Sequence, residues 1–123
     1  MAEQHALYID GKWVNTDASV TNINPSDTRE VIGEYAQATP ELVDSALDAA
    51  VRAVSEWGQS PLETRYQVLM AIGNELIERS AELGELLARE EGKARAEGVG
   101  EVFRSGQFFH YFAAEGPSHV EDH

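Results

Sequence analysis

The spacing of apolar residues changes at Thr39–Pro40, and this change restricts the chain to a mixed fold. Before this point, short apolar runs alternate with Gly, Pro, Asn and Asp, which is typical of strands and turns. After it, apolar residues recur every three or four positions, as in amphipathic helices. Thr39 fits a helix N-cap and Pro40 fits the first helical position. The sequence therefore predicts an α+β arrangement in which a β-hairpin and strands precede about four helices.

The β-rich start contains a predicted hairpin and two further extended segments. Asp10–Gly11 lies between apolar β-formers and predicts a hairpin, because Gly adopts positive φ at little cost. Further strands are predicted over residues 18–22 and 30–38, with a turn at Asn24–Asp27 between them. Two separate strand signals after a hairpin favour a small sheet at this end of the chain.

Each predicted helix carries an apolar stripe. The first stripe comprises Val43, Ala46, Leu47, Ala50, Val51, Val54 and Trp57. A second helix follows Pro61, a third short helix restarts at Ser80 after a bend, and a last helix covers about 94–114. The predicted inner face of that last helix comprises Val99, Val102, Phe103, Gly106, Phe109 and Ala113. Gly98, Gly100 and Gly106 weaken the helix, which suggests the close approach of another backbone. Four helices and a few strands cover these stripes only in part, so we expect some to face a partner.

The charge balance excludes several classes of partner. The chain has 22 acidic and 9 basic residues and a net charge of -13. Such a surface repels nucleic acid and anionic lipid, so we expect no nucleic-acid and no membrane partner. An acid-rich, Lys-poor surface also suggests a halophilic source. The N-terminal residues have neither the basic nor the apolar segment of a signal peptide, which predicts a cytoplasmic protein.

The titratable side chains form no recognisable catalytic group. The sequence contains no cysteine, which removes disulfides, thiolate metal sites and Cys nucleophiles. His5, His119 and His123 lie in predicted tails, and we expect them to be exposed. His110 lies among aromatic residues and is interpreted as a packed or surface histidine. Neighbouring glutamates are interpreted as a solvated acidic face, at Glu75/Glu78, Glu82/Glu85, Glu90–Glu91 and Glu97/Glu101.

Two further motifs are explained by packing. Gly98-Val99-Gly100 lacks the third glycine of a dinucleotide-binding loop and lies in a helical pattern, which argues against nucleotide binding. The aromatic run Phe108–Phe112 could stack on bases, but no lysine lies near it. We interpret this run as core or interface packing.

The order of these segments resembles that of the aldehyde dehydrogenase family from residue 7 to about residue 115. The segments that carry the resemblance are Leu7–Val14, Ile23–Ser26, Glu30–Glu34, Val43–Ala50 with Trp57, Arg65 with Leu69, Glu75–Ile77 and Leu83, Glu90–Lys93, and Gly100–Val102 through Phe112–Glu115. The resemblance implies an incomplete N-terminal segment of the cofactor-binding domain at 7–115. Outside it, residues 1–6 are predicted to be a disordered N-terminus, and residues 116–123, which have no periodicity, are predicted to be a flexible tail. Residues 101–109 most resemble semialdehyde dehydrogenases that act on 2-oxoglutarate semialdehyde.

The resemblance implies oxidation of an aldehyde or semialdehyde to a carboxylate with NAD or NADP. In the family, a Cys thiolate attacks the aldehyde, hydride passes to nicotinamide, and a Glu-activated water hydrolyses the thioester. The family's Cys, Glu and oxyanion-hole Asn lie beyond the last residue of this sequence. We therefore assign no catalytic or cofactor-binding residue, and expect the chain alone to be inactive and to bind no cofactor. Its expected partner is the remainder of an aldehyde dehydrogenase, or further copies within the intact homo-oligomer.

The resemblance also implies one cation site. Some family members hold a monovalent cation, and the matching ligands are the backbone carbonyls of Asn22 and Ile23 and the carboxylate of Glu90. Hard oxygen ligands suit such an ion. The alternative is that Glu90 is an ordinary charge at a helix end.

Three functions are compatible with these observations. The chain is a truncated or split aldehyde dehydrogenase, a non-catalytic module that docks on a full-length or split relative, or an unrelated acidic helical interaction protein. The last requires the order of motifs to arise by chance.

Overall fold

The computed structural model describes residues 2–118, which divide into two compact units between Gln59 and Ser60. The first unit contains five short strands and one helix, and the second contains three helices. The predicted order of strands followed by four helices is confirmed.

A three-stranded sheet organises the first unit. Its strands are β1 (Gln4–His5), β4 (Ser19–Ile23) and β5 (Val31–Ala36), in the order β1-β5-β4. β1 runs parallel to β5, with Gln4 opposite Glu34 and His5 opposite Tyr35. β4 runs antiparallel to β5 and has a register shift between Asn22 and Ile23. Within the start predicted to be disordered, residues 1–6, Gln4 and His5 pair with β5, and the His5 ring stacks on Tyr35.

The predicted hairpin is present as β2 (Leu7–Ile9) and β3 (Lys12–Val14). Asp10 and Gly11 have φ values of 53° and 74°, so both turn residues adopt the left-handed conformation of a type I′ hairpin turn. Tyr8 and Trp13 face each other across the two strands, with ring centroids 4.8 Å apart. The cross-strand aromatic pair stabilises the register.

Helix α1 (Pro40–Gly58) begins as predicted. The Thr39 hydroxyl accepts a hydrogen bond from the Leu42 amide at 3.3 Å, and Pro40 occupies the first turn. The Glu41 backbone amide and the Thr39 hydroxyl both bond to the Glu41 carboxylate and lower its pKa. No residue of α1 is buried, so its capping bonds and not a core fix its start.

The second unit consists of α2 (Leu62–Glu78), α3 (Ser80–Glu91) and α4 (Arg95–Ser118). The predicted bend lies at Arg79, which ends α2 and precedes α3. Gly92, with a φ of 74°, ends α3 in the left-handed conformation that glycine adopts without strain. The last helix was predicted to end at about residue 114, but it continues through Ser118. Of the predicted tail at 116–123, residues 119–123 lie outside the described part of the chain.

Two glycine-to-glycine approaches join α4 to its neighbours. A Cβ on Gly98 would lie 2.2 Å from the Gly84 carbonyl oxygen, and a Cβ on Gly106 would lie 2.8 Å from that of Gly73. The predicted reason for glycine is therefore confirmed at Gly98 and Gly106. At Gly100 it is wrong, because nothing lies within 4 Å of a Cβ there.

The core of the second unit is small and is built from small residues. Its buried hydrophobic residues are Ala88, Val102 and Ala113, of which only Ala113 is fully enclosed, at 1% exposure. The predicted inward position of Phe103 is wrong, since that ring is 44% exposed. Close backbone approach through glycine leaves little space between the helices for a large ring. No helix within residues 2–118 combines the length and apolarity needed to span a membrane.

Candidate functional site

The histidines that the structure describes have packing roles. His110 Nε2 lies 2.9 Å from Asn74 Oδ1, and the ring covers Gly73, where a Cβ would come within 2.4 Å of it. Of the two predicted positions for His110, packed or on the helix surface, this contact agrees with the packed one. His5, predicted to be exposed, is half-buried and stacks on Tyr35 at 4.6 Å between ring centroids. His119 and His123 lie outside the described residues.

Several acidic side chains are engaged in ion pairs on the surface. Arg79 binds Glu75 at 3.0 Å and Glu82 at 2.9 Å, and its hydrogen bonds lower the pKa of the Glu82 carboxyl. Lys93 bridges Glu91 and Glu101, and these carboxylates raise its pKa. These contacts agree with the predicted solvated acidic face. Among residues 2–118, no group of three or more His, Asp or Glu side chains could hold a metal ion.

The residues of the predicted cation site lie in different units. Asn22 and Ile23 lie at the register shift of β4, opposite Gly33 and Val31 of β5. Glu90 is half-buried in the last turn of α3, in the second unit. All three can offer oxygen ligands of the kind that a hard cation prefers. The binding of one cation by Asn22, Ile23 and Glu90 stays a prediction.

The segment Gly98–Gly100 forms part of α4, near its start, and packs against α3. Because a Cβ on Gly98 would overlap the Gly84 carbonyl, this glycine serves helix packing. Its backbone is in a helix and not in the strand-to-helix loop that holds a dinucleotide. The structure thus agrees with the prediction that this segment is not a nucleotide-binding loop.

One face of α4 has chemical features that the sequence interpretation missed. Arg104, Gln107, Phe108, Tyr111 and Phe112 recur at intervals of three and four residues and line an open cavity of about 370 Å³. We call these five residues the α4 cleft. Its three aromatic rings are exposed, whereas Phe109 on the adjoining face is half-buried. The same periodicity was available from the sequence, but the aromatic run was interpreted without Arg104.

A second exposed surface lies on α1. Val43, Leu47, Val51, Val54 and Trp57 are between 47% and 71% exposed. They follow one another at helical spacing, and together they form what we call the α1 stripe. Contiguous apolar surface of this kind usually marks a site of protein contact.

Comparison with known proteins identifies the origin of this architecture. The sequence model of the aldehyde dehydrogenase family matches residues 13–122. The alpha-ketoglutarate semialdehyde dehydrogenase of Haloferax volcanii is 38% identical over 94% of this chain and 24% of its own length. The chain therefore spans about a quarter of the length of this relative.

Solved structures give the same result. The 1-pyrroline-5-carboxylate dehydrogenase of Thermus thermophilus superposes with a TM-score of 0.93 at 30% identity, over 98% of this chain and 23% of that one. A 1-pyrroline-5-carboxylate dehydrogenase from Thermus with bound NAD gives a TM-score of 0.82 at 32% identity, over 92% of this chain and 22% of that one. The predicted fold, a portion of such a cofactor-binding domain, is confirmed.

Proposed function

The chain belongs to the aldehyde dehydrogenase family, and from this premise we propose that it forms the N-terminal part of an enzyme that oxidises a semialdehyde to a carboxylate with NAD or NADP. The observation that carries this proposal is the 38% identity to a relative named for alpha-ketoglutarate semialdehyde. That name agrees with the resemblance of residues 101–109 to the same group. A substrate of this kind has an aldehyde at one end and a carboxylate at the other.

The chain alone is proposed to be inactive. Oxidation through a thioester requires a thiolate that attacks the carbonyl carbon, and these 123 residues include no cysteine. Bound nicotinamide would accept the hydride, but Gly98 packs on Gly84 of α3, and the segment Gly98–Gly100 lies within a helix and does not form a phosphate-binding loop. The residues present thus do not fit a complete cofactor site.

The α1 stripe supports association with the remainder of such an enzyme. Val51 and Val54 are 71% and 67% exposed on a helix with no buried residue. Burial of apolar surface contributes about 25 cal/mol for each Å², so covering these side chains favours assembly. Because the chain matches only a quarter of its relatives, the missing three quarters are the proposed cover.

A complementation experiment tests this proposal. The purified chain would be mixed with the Haloferax volcanii relative from which the matching N-terminal quarter has been deleted. We expect no aldehyde-dependent reduction of NAD or NADP from either part alone, and turnover from the mixture. Turnover by the isolated chain, or a mixture that remains inactive although the two parts bind, would contradict the proposal.

A matched pair of variants tests the role of the α1 stripe. Val51→Asp places a charge within the stripe, whereas Ser45→Asp places the same charge on the opposite side of α1, where the side chain is exposed. We expect Val51→Asp to abolish association and turnover and Ser45→Asp to retain both. Size-exclusion chromatography of the mixture, in which association removes the free 123-residue chain, reports association independently of turnover. Equal behaviour of the two variants would show that the stripe is not the contact surface.

A second candidate function rests on the same stripe. In this alternative, the chain is a non-catalytic module that docks on a full-length or split aldehyde dehydrogenase. Its signature is saturable binding to the intact Haloferax volcanii relative, without any requirement for the chain in turnover. Restoration of activity to the N-terminally deleted relative favours the first function over this one.

A further inference from the structure

The charge on the α4 cleft is unusual for this chain. Residues 102–114 include no acidic residue, although the chain has 22 of them. Glu101, one helical turn before Arg104, is bound by Lys93 at 2.6 Å. Within residues 2–118, Arg104 forms no ion pair or hydrogen bond, in contrast to Arg29, Arg52, Arg79 and Arg95, which each bind a carboxylate. Its guanidinium therefore retains its capacity to bind an anion.

The walls of the cleft are apolar. The rings of Phe108, Tyr111 and Phe112 are 56–61% exposed and share the cavity of about 370 Å³ with Arg104 and Gln107. The Tyr111 and Phe112 rings meet edge to face, with their centroids 5.2 Å apart. A cavity of this size, with few polar groups among aromatic rings, is typical of sites for small organic molecules.

We propose that the α4 cleft binds the carboxylate end of a carboxylate-bearing aldehyde, with the Arg104 guanidinium as its anion contact and the aromatic rings against its methylene chain. The inference rests on the proposed function and deepens it, because it assigns the carboxylate of the substrate to a named residue. Arg104 is thus a specificity-determining residue and takes no part in the bond-making steps.

The electrostatics of the chain favour a carboxylate over a polyanion. One guanidinium can bind one carboxylate through two parallel hydrogen bonds. A nucleotide or a nucleic acid brings several negative charges into the field of a chain with a net charge of -13, and the cleft supplies one arginine to offset them. A neutral aldehyde would gain only the apolar contacts.

The test is a titration of the 123-residue chain with pentanoate and with pentanamide, its neutral analogue of the same shape. Amide and Arg104 Nε–H chemical shifts would be followed by NMR at constant ionic strength. We expect saturable shifts along residues 104–112 with pentanoate. Pentanamide should bind about tenfold more weakly, as expected for the loss of one charge-assisted hydrogen-bond pair.

Variants separate the cleft from the general charge of the protein. Arg104→Gln should weaken pentanoate binding about tenfold or more and leave pentanamide binding unchanged. Lys12→Gln removes the same charge in the first unit, at a residue that does not line the cleft, and should leave both unchanged. Because Arg104 is exposed, the spectrum of its variant should otherwise match that of the parent chain.

Three results would overturn the inference: no saturable shift with pentanoate, equal affinity for pentanoate and pentanamide, or equal weakening by the Arg104 and Lys12 variants. None of these measurements depends on turnover. Failure of complementation with intact pentanoate binding would therefore refute the proposed function alone, and successful complementation without pentanoate binding would refute this inference alone.

Discussion

Gly73 and Gly106 meet where α2 crosses α4, and a Cβ on either residue would lie 2.8 Å from the carbonyl oxygen of the other. The reciprocal contact means that neither helix can accept a side chain at this point without moving away from its neighbour. Ile77 closes the same contact, with its Cγ1 atom 2.6 Å from a Cβ at Gly106. The second unit thus depends on close backbone packing more than on large core side chains.

Gly106→Ala is expected to destabilise the chain by about 1–3 kcal/mol, because the added methyl group overpacks the crossing. Gly100→Ala is the matched control on the same helix, since nothing lies within 4 Å of its added methyl group. We expect the control to stabilise the chain by about 0.5–1 kcal/mol through higher helix propensity. Urea unfolding followed by circular dichroism measures both. Equal stability of the two variants would show that the crossing is looser than described.

Thr39→Ala is expected to loosen the first turn of α1. The substitution removes the hydroxyl that accepts the Leu42 amide and helps to lower the pKa of Glu41, a loss of about 1 kcal/mol for a typical N-cap. Since no residue of α1 is buried, packing does not compensate. Hydrogen exchange at residues 41–43 should accelerate. Ser45→Ala, which removes only a bond to the Glu41 carbonyl, should not produce this change.

Arg79→Gln is expected to lower the melting temperature at neutral pH and to have less effect in acid. Hydrogen bonds from Arg79 hold the folded pKa of Glu82 below its ordinary value of 4.5. A lowered folded pKa means that the stabilisation is present above the unfolded pKa and is lost as pH falls through the folded pKa. Both side chains are exposed, so the effect is small and screened by salt. Lys12→Gln serves as the control, and a difference that grows below pH 4.5 would contradict this account.

Salt is expected to stabilise the parent chain. At a net charge of -13, folding brings like charges together, and added ions screen their repulsion over a Debye length of about 3 Å at 1 M. The melting temperature should therefore rise between 0.1 M and 2 M KCl. A fold that is indifferent to molar salt would count against the halophilic interpretation.

Local chemistry made much of the fold predictable. Asp10–Gly11 specified its hairpin, and Thr39–Pro40 specified the start of α1, because both depend on neighbouring residues alone. The pairing of β1 with β5 was not predictable, since it joins residues about 30 positions apart and has only two residues to signal it. The inward position predicted for Phe103 is wrong for a related reason. Sequence spacing gives the face of the helix on which a residue lies, but the distance between neighbouring helices decides whether an aromatic ring fits between them.

The candidate site was less predictable than the fold. The absence of cysteine excluded a thiolate directly, and the helical position of Gly98–Gly100 excluded a phosphate loop. Arg104 was overlooked because its significance depends on the lack of an ion pair. That property requires knowing where Lys93 and Glu101 meet, and spacing along the sequence does not give it.

Because no residue of α1 is buried, the requirements of folding and the requirements of assembly can be distinguished in this helix. Variation at Leu47, Val51 and Val54 should have little effect on the stability of the isolated chain, because these side chains are 59–71% exposed. If homologous sequences prove intolerant of change at Leu47, Val51 or Val54, that intolerance would record a history of assembly and not a requirement of folding.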